Sequence, residues 1–361
     1  MQRLRRVREI LEKAGLDALL FTFPKNVRYL TQFTGSNGQV LVTPRETLLL
    51  TDGRYTVQAK KEVKGAEVVI YAPNQFTATA LQRLTAGNAK VVGFEGEQAT
   101  YAQYGRWKRE MKSLRFVDVS SALSSLRVVK DEDEVQLIKN AAKIATESFL
   151  LIKDQIKPGM KEKDLAFEFE YAMRKRGADA LAFPLIVASG RRSAMPHGMA
   201  SDQRIEKDTF LTLDFGCVSR SYCSDETLTL GLGKLSRQQQ KVYAAVKEAH
   251  DTALGVLKAG VTGKAVDEAA RQVITKAGYG PYFVHSTGHG VGLHTGLMED
   301  VHEPPILSAH STEPLPENTI VTVEPGIYLP RRYGVRIESL VRVTKDGYEA
   351  LTTLPKDLEV L

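Results

Sequence analysis

The sequence predicts an α/β protein of two domains: a small N-terminal one with a mixed sheet, and a larger one built from two related halves. Two observations carry this. Short apolar runs alternate with helical patterns through the first 120 or so residues, and the rest of the chain contains an internal duplication. With 361 residues the chain is long enough for two buried cores. A hydrophobic fraction of 43% beside 25% charged residues is ordinary for a globular protein.

Taken in order, Leu4, Val7, Ile10 and Leu11 recur at helical spacing and stop at Gly15, a natural C-terminal cap. Apolar runs of strand length follow at 18–21, 40–42, 48–50, 68–70 and 91–94. Helical stretches lie near 57–62, 77–84 and 104–111, an alternation that builds a sheet with helices packed on it. Residues 120–125 are small and polar and are expected to form a linker before a charged helix that opens at Asp131. The expected domains are therefore 1–124 and 125–361.

The duplication shows at two offsets. Shifted by 101 positions, Ile156-Lys157-Pro158-Gly159-Met160 falls on Leu257-Lys258-Ala259-Gly260-Val261, and Arg174-Lys175-Arg176-Gly177 falls on Thr275-Lys276-Ala277-Gly278. Each copy reads as a helix, a turn at glycine, a second helix and a glycine stop. Shifted by 110, Leu211-Thr212-Leu213-Asp214-Phe215-Gly216 falls on Val321-Thr322-Val323-Glu324-Pro325-Gly326. Two equivalent strands thus carry an acid at the same place, and a pseudo-twofold axis between the halves would bring those acids together.

Composition narrows the partners. The net charge of +6, from 49 basic and 43 acidic residues, is mild and spread along the chain. Its densest stretch, Arg3, Arg5, Arg6 and Arg8, lies in the first helix and reads as a solvated face, so no nucleic-acid partner is expected. No apolar run approaches the roughly 18 residues of a membrane span, and the charged N-terminus lacks the apolar core of a signal peptide. Cys217 and Cys223 are too few for a disulfide framework and fit a reduced, cytoplasmic protein.

A buried carboxylate needs a partner or a metal. If the segment after Asp214 is a hairpin turning at Ser219-Arg220, then Asp214 faces Asp225, with Cβ atoms about 4.5–5.5 Å apart. Two carboxylates that close repel unless a cation lies between them. Glu324 and Glu338 would oppose each other likewise. Five of the seven histidines stand between 285 and 310. The spacing of His285 and His289 resembles a helical metal pair, but Gly288, Gly290 and Gly292 argue against a helix, so one of the two suffices as ligand. Oxygen ligands with one imidazole suit manganese, iron, cobalt or zinc. The alternative is a set of salt bridges to arginines such as Arg336.

The strings Leu213-Asp214-Phe215-Gly216, Ser224-Asp225-Glu226-Thr227, Gly288-His289-Gly290-Val291-Gly292, Val323-Glu324-Pro325-Gly326 and Val335-Arg336-Ile337-Glu338 stand in this order. With Ala188-Ser189-Gly190 and Pro196-His197-Gly198 they span about 150 residues. On these residues the chain resembles the creatinase/prolidase/methionine aminopeptidase superfamily, the pita-bread metallopeptidases, and within it the Xaa-Pro-cleaving branch. The helical frame extends the likeness over about 127–361. The resemblance implies a pita-bread catalytic domain holding two divalent metal ions, manganese first among the candidates.

By the same resemblance Asp214 holds one metal, Asp225 and Glu338 bridge, and His289 with Glu324 hold the other. Glu324 is also the implied acceptor of the water's proton. His197 and His302 match the non-ligand histidines that contact substrate and the tetrahedral intermediate. His285 matches a further pocket histidine, and Arg336 is counted with the substrate-binding residues, pairing with site carboxylates. The chain departs from the pattern at Glu226 and Leu228, and residues 294–300 read as an insertion that makes His294 an alternative to His302. Phe33-Thr34-Gly35-Ser36-Asn37-Gly38 and Leu50-Thr51-Asp52-Gly53-Arg54-Tyr55 resemble segments of aminopeptidase P. The implied substrates are short peptides with proline in second position, and the implied assembly is a homodimer. An Xaa-Pro dipeptidase (prolidase) is the alternative activity. A non-enzymatic binding module of the same fold is the remaining one, although such relatives have usually lost ligands that are all present here.

Overall fold

The computed structural model describes residues 2–294 and 301–361 and forms two units, one up to Leu126 and one from Arg127 to Leu361. In the first unit the helix Gln2–Lys13 buries Leu4, Val7 and Leu11, the stripe set by its periodicity. Six strands form one sheet in the order Glu67–Tyr71, Thr47–Asp52, Gly38–Val42, Ala18–Phe21, Val91–Phe94, Arg115–Asp118. Its pairings are antiparallel on either side of Gly38–Val42 and parallel elsewhere, so the sheet is mixed.

Two elements of this unit go beyond the sequence reading. The helix Pro24–Thr31 is short, starts on proline and stops at Gln32 in the left-handed region at φ 64, where no glycine signals the end. The strand Arg115–Asp118 adds an edge that no long apolar run announces. The segment expected as a linker instead contains the helix Ser120–Leu123, because Asp118 Oδ1 accepts from both the backbone N–H and the hydroxyl of Ser120.

In the second unit Asp131 caps the helix Glu132–Ile152 in a reciprocal box with Glu134. The helices Glu132–Ile152 and Glu162–Lys175 recur as Arg237–Val256 and Gly263–Lys276. The turns between and after them repeat too: Gly159 and Gly260 have φ of +90 and +86, and Gly177 and Gly278 have +98 and +85. A side chain is disfavoured in that region, so the duplicated glycines mark duplicated geometry. Each helix pair covers its own core. Phe149, Phe169 and Phe215 pack in the first, with Phe149 and Phe215 stacked at 5.9 Å; Val246, Val266, Val321 and Val335 lie in the second. Burying each such side chain contributes about 1.5–3 kcal/mol. These cores fix the strands Thr209–Phe215 and Ile320–Val323, at whose ends Asp214 and Glu324 stand.

Register decides where the acids meet. The first hairpin turns at Arg220-Ser221, both at positive φ, rather than at Ser219-Arg220, so Val218 pairs with Cys223 and Asp214 with Thr227. Asp225 therefore lies diagonal to Asp214 and not opposite it. A shift of two residues keeps both on one face, because side chains alternate with period two. In the second half Gly326 pairs with Arg336 and Val323 with Ser339, and the same count sets Glu324 opposite Glu338. Both cysteines are buried thiols, Cys217 being pushed up to about 12 by burial. No helix among the described residues is long and apolar enough to cross a membrane.

Candidate metal centre

Asp214, Asp225, His289, Glu324 and Glu338 all line one cavity of about 1110 Å³. The first two come from the first repeat and the other three from the second. Ligand atoms of Asp225, His289 and Glu338 lie within 4.8 Å of one another, all three side chains being buried. His289 is held by its backbone N–H on Thr322 Oγ1 at 3.1 Å, and its Nδ1 donates to the Gly290 carbonyl at 3.0 Å. That tautomer places a lone pair on Nε2, which stands 3.6 Å from both Asp225 Oδ2 and Glu324 Oε1.

Arg336 is almost fully buried and directs each side-chain nitrogen to a protein acceptor. Nη2 reaches Asp214 Oδ2 at 2.5 Å, Nη1 reaches the Tyr328 hydroxyl at 2.8 Å and the Pro196 carbonyl at 3.0 Å, and Nε reaches Thr227 Oγ1 at 3.1 Å. These contacts support an orienting part rather than the substrate contact expected of it. Thr227 Oγ1 in turn donates to Glu338 Oε2 at 2.6 Å. The Tyr328 hydroxyl lies 2.8 Å from His285 Nε2, while His285 Nδ1 donates to the Ser286 carbonyl. Burial, aided by the Arg336 charge, pulls the His285 pKa down to about 4, so its ring is neutral and accepts from Tyr328. Sequence reasoning missed Thr227 and Tyr328; a threonine next to the Asp225-Glu226 pair was the one local hint.

His197 and His302 are exposed and line the cavity, and the His302 ring packs on His289 at 3.8 Å between centroids. His294 lines the cavity too but is buried, with its backbone N–H on the Ser221 carbonyl at 2.7 Å. Residues 295–300, the rest of the expected insertion, lie outside the described residues.

The donor set fits divalent cations. Four carboxylates share one guanidinium among the described lining residues near them, and Asp214 Oδ1 is buried without a hydrogen-bond partner. Burial, then the charges of Glu338 and Asp214, pushes the Asp225 carboxyl well above the usual range; burial, then Glu324 and Asp214, does the same to Glu338. Burial raises Glu324 to about 8 against the opposing pull of Arg336. Protein groups alone leave this cluster short of positive charge. Oxygen-rich sites with one imidazole suit hard to borderline divalent ions.

A pH effect follows. These folded-state pKa values lie above the unfolded ones, near 4. In metal-free protein the cluster's contribution to stability is thus complete below about pH 4 and is lost as pH rises through about 8, where Glu324 ionises. The gap in Tm between metal-free and metal-loaded protein is expected to widen between about pH 5 and pH 8. Calorimetry after chelation and re-addition checks it, and a constant gap would count against the cluster as the binding site.

Residues 136–345 match the profile of Metallopeptidase family M24, and residues 3–129 match the Creatinase/Prolidase N-terminal domain. The chain is 40% identical to peptidase YqhT of Bacillus subtilis (strain 168), over 99% of this chain and all of that protein. It is similar in structure to an Xaa-Pro dipeptidase from Bacillus anthracis, with a TM-score of 0.95 and 40% identity over 100% of this chain and 99% of that one. An X-Pro aminopeptidase from Thermotoga maritima MSB8 gives a TM-score of 0.90 at 40% identity, over 99% of this chain and 100% of that one. The expected fold class, a mixed α/β domain before a pita-bread catalytic domain, holds.

Proposed function

The chain belongs to metallopeptidase family M24, and from this premise we propose that it hydrolyses the bond between an N-terminal residue and a following proline. Asp214, Asp225, His289, Glu324 and Glu338 hold two divalent ions, manganese being the proposed pair. The observation that carries this reading is the convergence of those five side chains on one cavity beside an unsatisfied Asp214 Oδ1. When bound, the ions supply Lewis acidity toward the scissile carbonyl and make water at the site more acidic. Rescue of Xaa-Pro hydrolysis by manganese after chelation tests it; turnover that survives complete chelation would refute it.

The chain's own residues do the rest. The Glu324 carboxylate takes the proton of the attacking water and returns it to the proline nitrogen as the C–N bond breaks. His302 and His197 donate ring N–H groups to the carbonyl oxygen as it gains charge. Neutral His285, fixed through Tyr328, shapes the wall and adds no charge. The bond before proline has no N–H to recognise, so the site reads it by shape. Phe183, Pro184, Ile186, Met199, Val301 and Ile306 supply apolar wall for that ring.

The preferred length is that of aminopeptidase P, tripeptides and longer. Discrimination for a dipeptide calls for a cation, or a blocking wall, at the carboxylate just beyond proline. The described lining residues include two arginines. Arg336 is engaged as above, and Arg174 donates to Glu170 Oε1 and to the Asp179 carbonyl. Residues 295–300 contain neither lysine nor arginine. An Xaa-Pro-Yaa tripeptide is expected to show higher kcat/KM than the matched Xaa-Pro dipeptide. A tenfold preference for the dipeptide, about 1.4 kcal/mol, would instead favour the activity named for the Xaa-Pro dipeptidase from Bacillus anthracis. The proposed assembly is a homodimer, which sedimentation equilibrium checks.

A further inference from the structure

We infer that Glu162 and Asp267 are positioning residues, two buried carboxylates that clamp the loops bearing His197 and His285 from behind. The inference rests on the reading above only in treating those histidines as parts of the cleft.

Glu162 opens the helix Glu162–Lys175 and has no exposed surface. Its Oε1 accepts from the Ser189 N–H at 2.9 Å. Its Oε2 accepts from Arg192 Nε at 2.9 Å, the Ser201 N–H at 3.1 Å and the Ser201 hydroxyl at 2.6 Å. Arg192 then donates through Nη2 to the Met199 carbonyl at 2.5 Å. Both ends of the stretch 189–201 are thus fastened to one carboxylate, with His197 between them.

Asp267, on the helix Gly263–Lys276, is equally buried. It takes Arg271 in two bonds of 2.9 Å and accepts on Oδ1 from the N–H and the hydroxyl of Thr287 at 3.2 and 2.8 Å. Arg271 donates onward to the Phe283 carbonyl at 3.0 Å and the His285 carbonyl at 2.9 Å. The design is the same: an acid, an arginine it orients, and loop backbone held by both. Yet the positions differ. At the offset of 101, Glu162 falls on Gly263 and Asp267 on Ala166, so each repeat has its own solution on the same helix.

The loops are also tied on their cleft side. The Pro196 carbonyl accepts from Arg336 at 3.0 Å, and the Thr287 carbonyl accepts from the Glu324 N–H at 2.7 Å. A displacement at either clamp therefore reaches the catalytic groups. A carboxylate is required because it only accepts. A glutamine or asparagine must turn one end into a donor, facing the N–H and O–H groups that surround these sites.

The test uses manganese-loaded protein carrying Glu162→Gln or Asp267→Asn, with kcat, KM and metal stoichiometry measured. Each is expected to lose at least tenfold in kcat with metal content unchanged. In a His197→Ala background Glu162→Gln should cost less than twofold more, and Asp267→Asn likewise in His285→Ala. Equal losses in both backgrounds, a fall in metal content that tracks the loss, or single histidine variants of full activity would each overturn the inference. Should a variant fail to fold, Arg192→Lys and Arg271→Lys, whose side chains are 25% and 34% exposed, loosen the same clamps and carry the same cycle. NMR of the histidine rings gives a readout independent of turnover. Glu162→Gln should move the His197 signal and leave that of His285, and Asp267→Asn the reverse; neither signal moving would also overturn it. Parent protein that is inactive on every Xaa-Pro substrate would refute the functional reading, whereas an active parent with additive cycles refutes the clamps alone.

Discussion

Replacing Asp225 with asparagine should lower metal occupancy and reduce turnover by about 10³-fold or more, a loss of roughly 4 kcal/mol in transition-state stabilisation, while the fold persists. Asp225 is buried, its Oδ2 lies 3.6 Å from His289 Nε2, and it shares a tight group with Glu338. Asparagine keeps the shape and removes the negative charge. The repulsion among the remaining acids falls, so metal-free Asp225→Asn should melt no lower than the metal-free parent. Binding, however, loses a charged oxygen at the centre of the cluster. Metal analysis, calorimetry and hydrolysis of an Xaa-Pro peptide after stripping and re-addition give the three numbers. Normal activity with a full complement of metal would sink the assignment.

The second large effect is expected at His302. Alanine there should lower kcat by about 10²–10³, the range for losing one donor to a developing oxyanion, and should leave metal content unchanged. Its ring packs against the candidate ligand His289 yet remains exposed to the cavity, the position of a group that meets substrate rather than metal. His294 also faces the cavity but is buried, with its backbone tied to Ser221. His294→Ala is therefore expected to act mainly on stability. If it reproduces the kinetic loss and His302→Ala does not, the two roles are reversed.

What was legible in the sequence is what repeats or alternates. The strands Ala18–Phe21 and Val91–Phe94 stand where their apolar runs stand, and the duplicated glycines announced a duplicated helix pair whose turns share one backbone conformation. The convergence of Asp214 and Asp225 was legible although their register was not. A turn that moves by one residue shifts the pairing by two and leaves the face unchanged. The helix Pro24–Thr31 escaped because it is brief and ends on Gln32 rather than glycine. Thr227, Tyr328, Glu162 and Asp267 escaped for a different reason. Apart from Arg271, four residues from Asp267, and Arg336, eight from Tyr328, their partners lie between 20 and 111 residues away in the chain, and such pairings leave no periodic mark.

The division of the proposed ligands between repeats has a consequence for how the protein comes together. Two acids arrive from one half and two acids with an imidazole from the other, and 64 residues separate Asp225 from His289 (289 − 225). Nothing local can assemble the set, so the centre belongs among the non-local contacts, whose loop-closure entropy must be overcome before they contribute. Until a cation arrives, the seam between the halves is where acids crowd together and hold their protons to higher pH. An ion that binds only the native chain stabilises it by mass action, and one held by the proposed ligands of both halves would do so as a cross-link. It would act as a latch across the seam, tightening both halves at once and making the ion a structural partner before it takes part in any reaction.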